Sequence, residues 1–579
     1  MKFKSKILCL LLVLVMLLTV SAVAANENTT LPLKEDSTDQ MSVNVETNNG
    51  ILGISNSEEN LCAPNDGTFN TLQEKINNTA EGGTLVLENN YTNTNWNFRY
   101  GITISKSLTI DGNGFTIDGG KRGRIFQVTA ANVTLKNINF VNTNTIDTKG
   151  GGAVYWSGAN GVLSGSNFIN NSAAGNDFTN GDDGGAVYWS GANGRLTGCN
   201  FTGNKASFNG GAIRWDGANG VLSGSNFINN SVRAYSAGAV YWKGDNGRLT
   251  GCNFTGNNAS TNCGAVEWDG ADGVLSGSTF IGNAGVVRAV YWASSATRGS
   301  LSDCIFINTG VYWRGTNGRL SGSNFINNSA GRGGAVWWDG ADGVLSGCNF
   351  TGNNATFNGG AVYWYGADGT LRDSNFTGNS ASQEGGAVYW CGYQGGNPNA
   401  GNRGVLSGSN FINNSAGRGG AVYWKGANGV LSGSNFIGNN ASNGGVVYWD
   451  GYKGILSGSN FTGNSASVDG GAVYWNGAGG RLSGCNFTDC FTNSSGGAVY
   501  WNGANGVLSN SSFVNCSAES FSNYTTQKSY VNAYGGAVYW NGTGGVLGNC
   551  SFVNCSAESF SNYTTQDSHV YAYGGAVYW

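Results

Sequence analysis

The 579-residue sequence predicts an all-β chain wound as a right-handed, single-stranded parallel β-helix, with three short strands per coil and a short N-terminal capping helix. Three observations predict it. A GGAVYW…VLSGSNF…N unit recurs along the chain, its Trp falling at Trp156, Trp189, Trp215 and onward to Trp540 and Trp579, a period of about 26 residues. Each unit breaks into three strand-like pieces separated by Gly, Asn and Ser, as in Gly211–Trp215, Val221–Ser223 and Asn226–Asn229. The 97 Gly follow no collagen period, while 18 Trp, 25 Tyr and 27 Phe return at regular intervals, which a disordered chain does not show. A propeller blade needs about 40 residues, and leucine-rich repeats space their leucines differently. Stacked about 4.8 Å apart, about sixteen coils make a rod roughly 75 Å long.

Taken from the N-terminus, residues 1–25 read as a secretory signal. Lys2, Lys4 and Lys6 precede an apolar run, Ile7–Val20, and a small-residue cleavage site at Ala22-Val23-Ala24. That run is shorter than the roughly 20 residues of a membrane span, so export is expected. Residues 26–60 are a polar linker. Residues 61–149 are expected to hold the cap and the first, less regular coils. Thr71-Leu-Gln-Glu74 has capping-box spacing, and Phe69, Leu72 and Ile76 share one helical face. A helix there would cover the edge strands of the first coil. Alternating pieces follow at Thr84–Leu87, Ile102–Ile104, Leu108–Ile110, Phe115–Ile117, Val133–Leu135 and Ile138–Phe140. Residues 150–579 are the repeat array, with insertions at Gly392–Arg403 and Ser517–Tyr534, and the sequence stops inside a repeat at Gly574–Trp579. Sequons such as Asn28, Asn90, Asn132, Asn258 and Asn541 make glycosylation an expectation in an exported chain.

Comparison of the copies within the chain assigns the inward side chains. The residue before Trp is usually Tyr but becomes Arg214, Glu267 and Trp337, and a position that accepts charge is expected outside. Alternation then turns Val and Trp inward. Leu163, Leu196, Leu222 and Leu249 are constant while their preceding neighbours switch between Val and Arg, so Leu is core. Phe168, Phe201, Phe227 and Phe254 are core by the same reasoning.

The paired GGA[V/I] and FxxN motifs, as in Gly184-Gly-Ala-Val187 with Phe201-Thr-Gly-Asn204, resemble the repeats of chlamydial polymorphic outer-membrane proteins. The stretch Gly101–Gly119 is similar to adhesin-like proteins of methanogenic archaea. The resemblance covers most of residues 62–579. It implies a pectate-lyase-like solenoid acting as a secreted or cell-surface adhesin, non-catalytic, with a glycan or protein of another cell as partner. The chlamydial proteins end in a membrane-inserted barrel that this sequence does not show, so membrane contact is expected only through an anchor not visible here.

The sharpest binding candidate is the Tyr ladder, above all Tyr363, Tyr389, Tyr423, Tyr448, Tyr474 and Tyr500, which as an exposed stripe could stack sugar rings or merely stabilise the coils. Charges after Trp alternate (Asp216, Lys243, Asp269, then Arg314 and Asp339) and read as a self-neutralising solvated face. Carboxylates fall mostly one per coil, so a polysaccharide lyase or hydrolase, the enzymatic alternative, lacks a visible cluster. The single His569 reads as incidental. Cys199, Cys252, Cys304, Cys348, Cys485 and Cys550 sit two before Phe and alternate with Ser, which spaces the early ones about 9.6 Å apart, beyond disulfide reach. The Asn of FxxN should form an amide ladder. At the far end Cys490, Cys516 and Cys555 replace it, and Cys490–Cys516 is the pair placed in disulfide range. With a net charge of −4, no basic stripe and no CxxC or His cluster, no nucleic-acid partner, metal or small-molecule cofactor is expected.

Overall fold

Adjacent coils pair like residue with like: Trp156 with Trp189, Leu163 with Leu196, Phe168 with Phe201. The computed structural model describes residues 67–145, 149–173, 183–392, 403–522, 530–561 and 569–579. The stretches expected to be signal and linker, most of the Gly392–Arg403 insertion and part of the Ser517–Tyr534 insertion lie outside the described residues. Within them the chain is an all-β parallel solenoid. One 18-stranded sheet carries the VYW strands, a 19-stranded sheet carries the NFx strands, and a third carries the Leu strands between them.

In-register stacking turns each repeat position into a continuous column. The Trp rings lie 4.3 to 5.0 Å apart and nearly parallel, and the inner Phe rings 4.6 to 4.9 Å apart. Val, Trp, Leu and Phe of the repeat are buried as the copy comparison predicts. Glycine makes the coil tight enough for this. A Cβ on Gly429 would sit 2.1 Å from the Trp424 indole nitrogen, and one on Gly386 would sit 2.0 Å from the Gly420 carbonyl oxygen.

The inner amide ladder is saturated. Asn414 donates through Nδ2 to the Phe376 carbonyl at 3.0 Å and to Asn439 Oδ1 at 3.0 Å. Its own Oδ1 accepts from the Asn379 backbone N–H and from Asn379 Nδ2. Each rung therefore satisfies its neighbours as well as itself, which a buried amide requires. At the far end Cys490 and Cys516 stand as free thiols, and their Sγ groups donate to the same class of acceptor, the carbonyls of Phe461 and Phe487, each at 3.8 Å. The cysteines two before Phe are buried thiols; burial pushes Cys199 and Cys252 up to about 12. In the alternating column a Ser hydroxyl accepts the N–H of the Cys before it, as Ser225 does from Cys199 at 3.1 Å.

Three strands per coil proves an undercount. Most coils carry a fourth short strand after FxxN, forming a five-stranded sheet from Asn144–Thr145 to Asn258–Ala259 and a nine-stranded sheet from Ser329–Arg332 to Ser556–Ser561. These segments are only two to six residues long and polar, so they lack an alternating signature. Between the two sheets the coil closed by Trp292 keeps only a bridge from Ala284 to Asn258, and the coil closed by Trp313, 21 residues later, is too short for the fourth strand.

The capping helix spans Phe69–Asn78 and buries Phe69, Leu72 and Ile76. Its N-cap is Thr68, whose hydroxyl accepts from the Thr71 N–H at 3.3 Å, so the Thr71–Glu74 spacing does not mark the start. Gln73 donates to the Thr103 carbonyl at 3.3 Å and accepts its N–H at 3.1 Å, standing in for a strand beside the edge of the VYW sheet.

The inner and outer amide columns should differ sharply under substitution. Asn414→Leu leaves the Asn379 N–H without its acceptor in the interior and removes one bond each from Asn379 Nδ2 and the Phe376 carbonyl, and should cost about 3 kcal/mol. Asn410→Ala removes two exposed bonds, to Asn375 and from Asn435, and should cost about 1 kcal/mol or less because water replaces them. Urea unfolding followed by Trp fluorescence measures both; equal losses would contradict the ladder's role.

Candidate functional site

The outer face of the VYW sheet is built into a trough. Its floor is the residue before each Trp. One wall is the residue before each GGA, carried on or just after the fourth strand (Arg332, Asn358, Glu384, Arg418). The other wall is the residue after each Trp (Asp339, Tyr365, Cys391, Lys425, Asp450).

The Tyr floor is not the exposed stripe expected from sequence. Tyr363, Tyr389 and Tyr423 are only 7, 5 and 4 % exposed, and Tyr448, Tyr474 and Tyr500 are half-buried. The unforeseen fourth-strand wall closes over them together with the residues after Trp. Their faces are also consumed by each other. Tyr363–Tyr389, Tyr389–Tyr423 and Tyr423–Tyr448 stack at 4.9, 5.2 and 5.1 Å with interplanar angles of 3, 9 and 4°. A column of this kind shows ring edges outward, and a sugar stacks on faces. Burial raises the Tyr363 phenol to about 12.

Charge at a floor position does not mark exposure either. Arg214 forms a fork on Asp216, Nε to Oδ1 at 3.0 Å and Nη2 to Oδ2 at 2.9 Å, and pairs with Asp183 across the trough. Its guanidinium lies 5.0 Å from the Tyr188 ring. Glu267 is only 6 % exposed; Asn262 Nδ2 donates to it at 3.4 Å, and burial, more than the neighbouring Asp269, raises its carboxyl to about 7. The carboxylates after Trp are held by the preceding coil's phenols: Tyr188 OH donates to Asp216 at 2.8 Å, Tyr241 to Asp269 at 2.6 Å and Tyr312 to Asp339 at 2.6 Å. Burial and these carboxylates push the Tyr188, Tyr241 and Tyr312 phenols well above the ordinary Tyr range. Coil winding thus brings Asp183, Arg214, Asp216, Glu267 and Asp269 from three coils along one stretch of the trough, an arrangement invisible while carboxylates are counted one per coil. Among the described residues no group of His, Cys, Asp and Glu is arranged to hold a metal ion. The backbone of His569 pairs with Tyr530, as the duplicate copy predicts.

The trough opens where the fourth strand is missing. There the floor loses its parallel order: Tyr312 and Trp337 are 5.0 Å apart at 43°, and Trp337 and Tyr363 are 5.5 Å apart at 70°. Asp339 fixes the tilt, accepting from the Tyr312 hydroxyl and from the Trp337 indole N–H. A cavity of about 460 Å³ lies here, with Tyr312, Trp337, Arg288, Arg332 and Phe357 in its lining. That is within the range of small-ligand sites. Sequence reasoning missed it; the short Trp292–Trp313 step was the available signal.

Comparison with protein-family models and with curated proteins gives no match. Among solved structures, the chain is similar to an alginate lyase in complex with a trisaccharide, at 12 % identity and a TM-score of 0.31, over 73 % of this chain and 84 % of that one. It is also similar to a mutant tailspike protein of E. coli bacteriophage HK620 in complex with hexasaccharide, at 14 % identity and a TM-score of 0.36, over 72 % and 76 %. No residue role passes from either to this chain.

Two measurements follow from the trough's chemistry. The folded chain retains a proton on Glu267 up to about pH 7, whereas the unfolded chain releases it near the ordinary value of 4.5. Stability should therefore fall as pH rises through that window. Glu267→Gln should match the parent at pH 4 and exceed it at pH 8 by up to about 3 kcal/mol; urea midpoints at the two pH values test this, and no gain at pH 8 would refute it. Tyr389→Ala should cost about 3 to 5 kcal/mol, as for a core aromatic, and half-buried Tyr474→Ala clearly less. Equal small costs by the same assay would restore the open-stripe reading.

Proposed function

We propose that this protein is a secreted, cell-surface adhesin-like rod that binds a glycan without catalysing its breakdown. The observation that carries this reading is the notch in the trough wall. It leaves the tilted, half-buried rings of Tyr312 and Trp337 beside a cavity, whereas Tyr363, Tyr389 and Tyr423 further along are self-stacked and covered. Uncovered aromatic faces with polar groups at the margin are what sugar recognition needs. The signal-like residues 1–25 support export, and the GGA[V/I] and FxxN motifs support a surface role by resemblance. The alternating columns make a stiff scaffold that can carry such a site away from a cell surface.

A second reading, a polysaccharide-degrading enzyme, is favoured by one observation: Glu267, with its carboxyl near 7, lies close to Asp269, whose carboxyl is also raised by burial. Against it, Glu267 is enclosed, and the nearby phenols are locked on carboxylates and hold their protons too tightly to serve as bases.

A glycan array probed with the full chain tests the binding reading. Trp337→Ala should weaken binding to the responding glycans at least tenfold, and Tyr448→Ala should leave it within about twofold. Absence of glycan binding, or binding indifferent to Trp337→Ala in a variant with parental melting behaviour, would overturn it. Depolymerisation of polyuronates by the parent chain, lost in Glu267→Gln, would establish the enzymatic reading instead.

A further inference from the structure

The notch carries a second feature that the aromatic faces do not explain. Arg288 is nine-tenths buried, yet among the described residues it has no carboxylate partner. Its Nη2 reaches past the short coil to the carbonyls of Arg332 and Gly333, at 2.5 and 2.6 Å, taking the room that a fourth strand would fill. Its Nε has no hydrogen-bond partner. Burial alone pushes this guanidinium down to about 10, which leaves it cationic at neutral pH. Burying a cation without a counter-charge is costly, and the half-buried Arg214 of the same trough has Asp183 and Asp216 beside it. Arg332, exposed at the cavity margin, likewise forms no ion pair among the described residues and lies 5.7 Å from the Tyr363 ring. Asp339, the nearby carboxylate, is already occupied by Tyr312 and Trp337. Two arginines beside two tilted aromatic rings therefore lack an anion.

We infer that the notch is a subsite for a carboxylate-bearing sugar residue, a uronate of an acidic glycan, its ring against Trp337 and Tyr312 and its carboxylate toward Arg332 in the field of Arg288. The inference rests on the glycan-binding reading and narrows it to an acidic ligand. Aromatic faces favour a pyranose over an acidic peptide, because an aspartyl or glutamyl side chain offers no apolar ring face to cover them. A planar carboxylate matches a guanidinium better than an ammonium.

The test is calorimetric titration of the full chain with oligogalacturonate and, separately, with its fully methyl-esterified form, which keeps the sugar rings and removes the charge. The acidic form should bind at least tenfold more tightly, and the difference should shrink at high salt. Arg332→Ala should erase the difference and Arg332→Lys restore only part of it. Arg288→Met should do the same, provided its melting curve matches the parent's; if that variant does not fold, the Arg332 pair decides the matter. Equal binding of ester and acid, or tight binding of neutral array glycans unaffected by Arg332→Ala, would overturn the acidic subsite while leaving glycan binding intact. Failure of every glycan would remove both readings. Binding of poly-glutamate as tight as that of oligogalacturonate, and indifferent to Trp337→Ala, would assign the arginines to an acidic protein partner instead.

Discussion

Everything in this molecule depends on each side chain meeting its own copy above and below. Parallel coils in register give no choice of neighbour, so a residue type repeats along a column where it packs or hydrogen-bonds with itself. Flat rings pass this test by offset stacking, carboxamides by a donor and an acceptor that point in opposite directions along the axis, and glycine where backbone leaves no room. The Trp, Phe and Asn columns are these solutions side by side. Charges do not stack on themselves, which is why they interrupt columns and are neutralised across coils by phenols or by Arg214.

Function is to be sought where that rule is suspended. A perfect column shares all its faces internally and offers a partner only edges. At the short coil between Trp292 and Trp313 the wall loses a strand, the floor rings tilt, and a cation is left without a counter-charge. The irregular coil weakens the local packing and, for the same reason, exposes what the regular coils consume.

The columns themselves could be read from sequence because constancy and variation among copies report burial directly. Leu163, Leu196 and Leu222 behave as the copy comparison requires. The same logic misled at the residue before Trp: half-buried Arg214 and buried Glu267 lie beside partners on their own coil, Asp216 and Asn262, and Arg214 also meets Asp183 of the coil before. The helix start was misplaced by three residues since Thr68 and Thr71 are chemically alike and only backbone geometry distinguishes the cap. The fourth strand left no trace because segments such as Ser172–Ala173 are too short and polar to show a period.

Sequence alone determined the winding of the chain, the identity of its inner columns and the presence of a helix at its start. Those are nearest-neighbour properties, and a repeated sequence repeats its neighbours. Only the tertiary structure decided that the middle of the Tyr column is covered, that five charged groups from three coils line one stretch of the trough, and that Arg288 spans a missing strand. Each depends on how far one wall folds over another or on contacts that skip a coil, and neither distance is encoded within a single repeat.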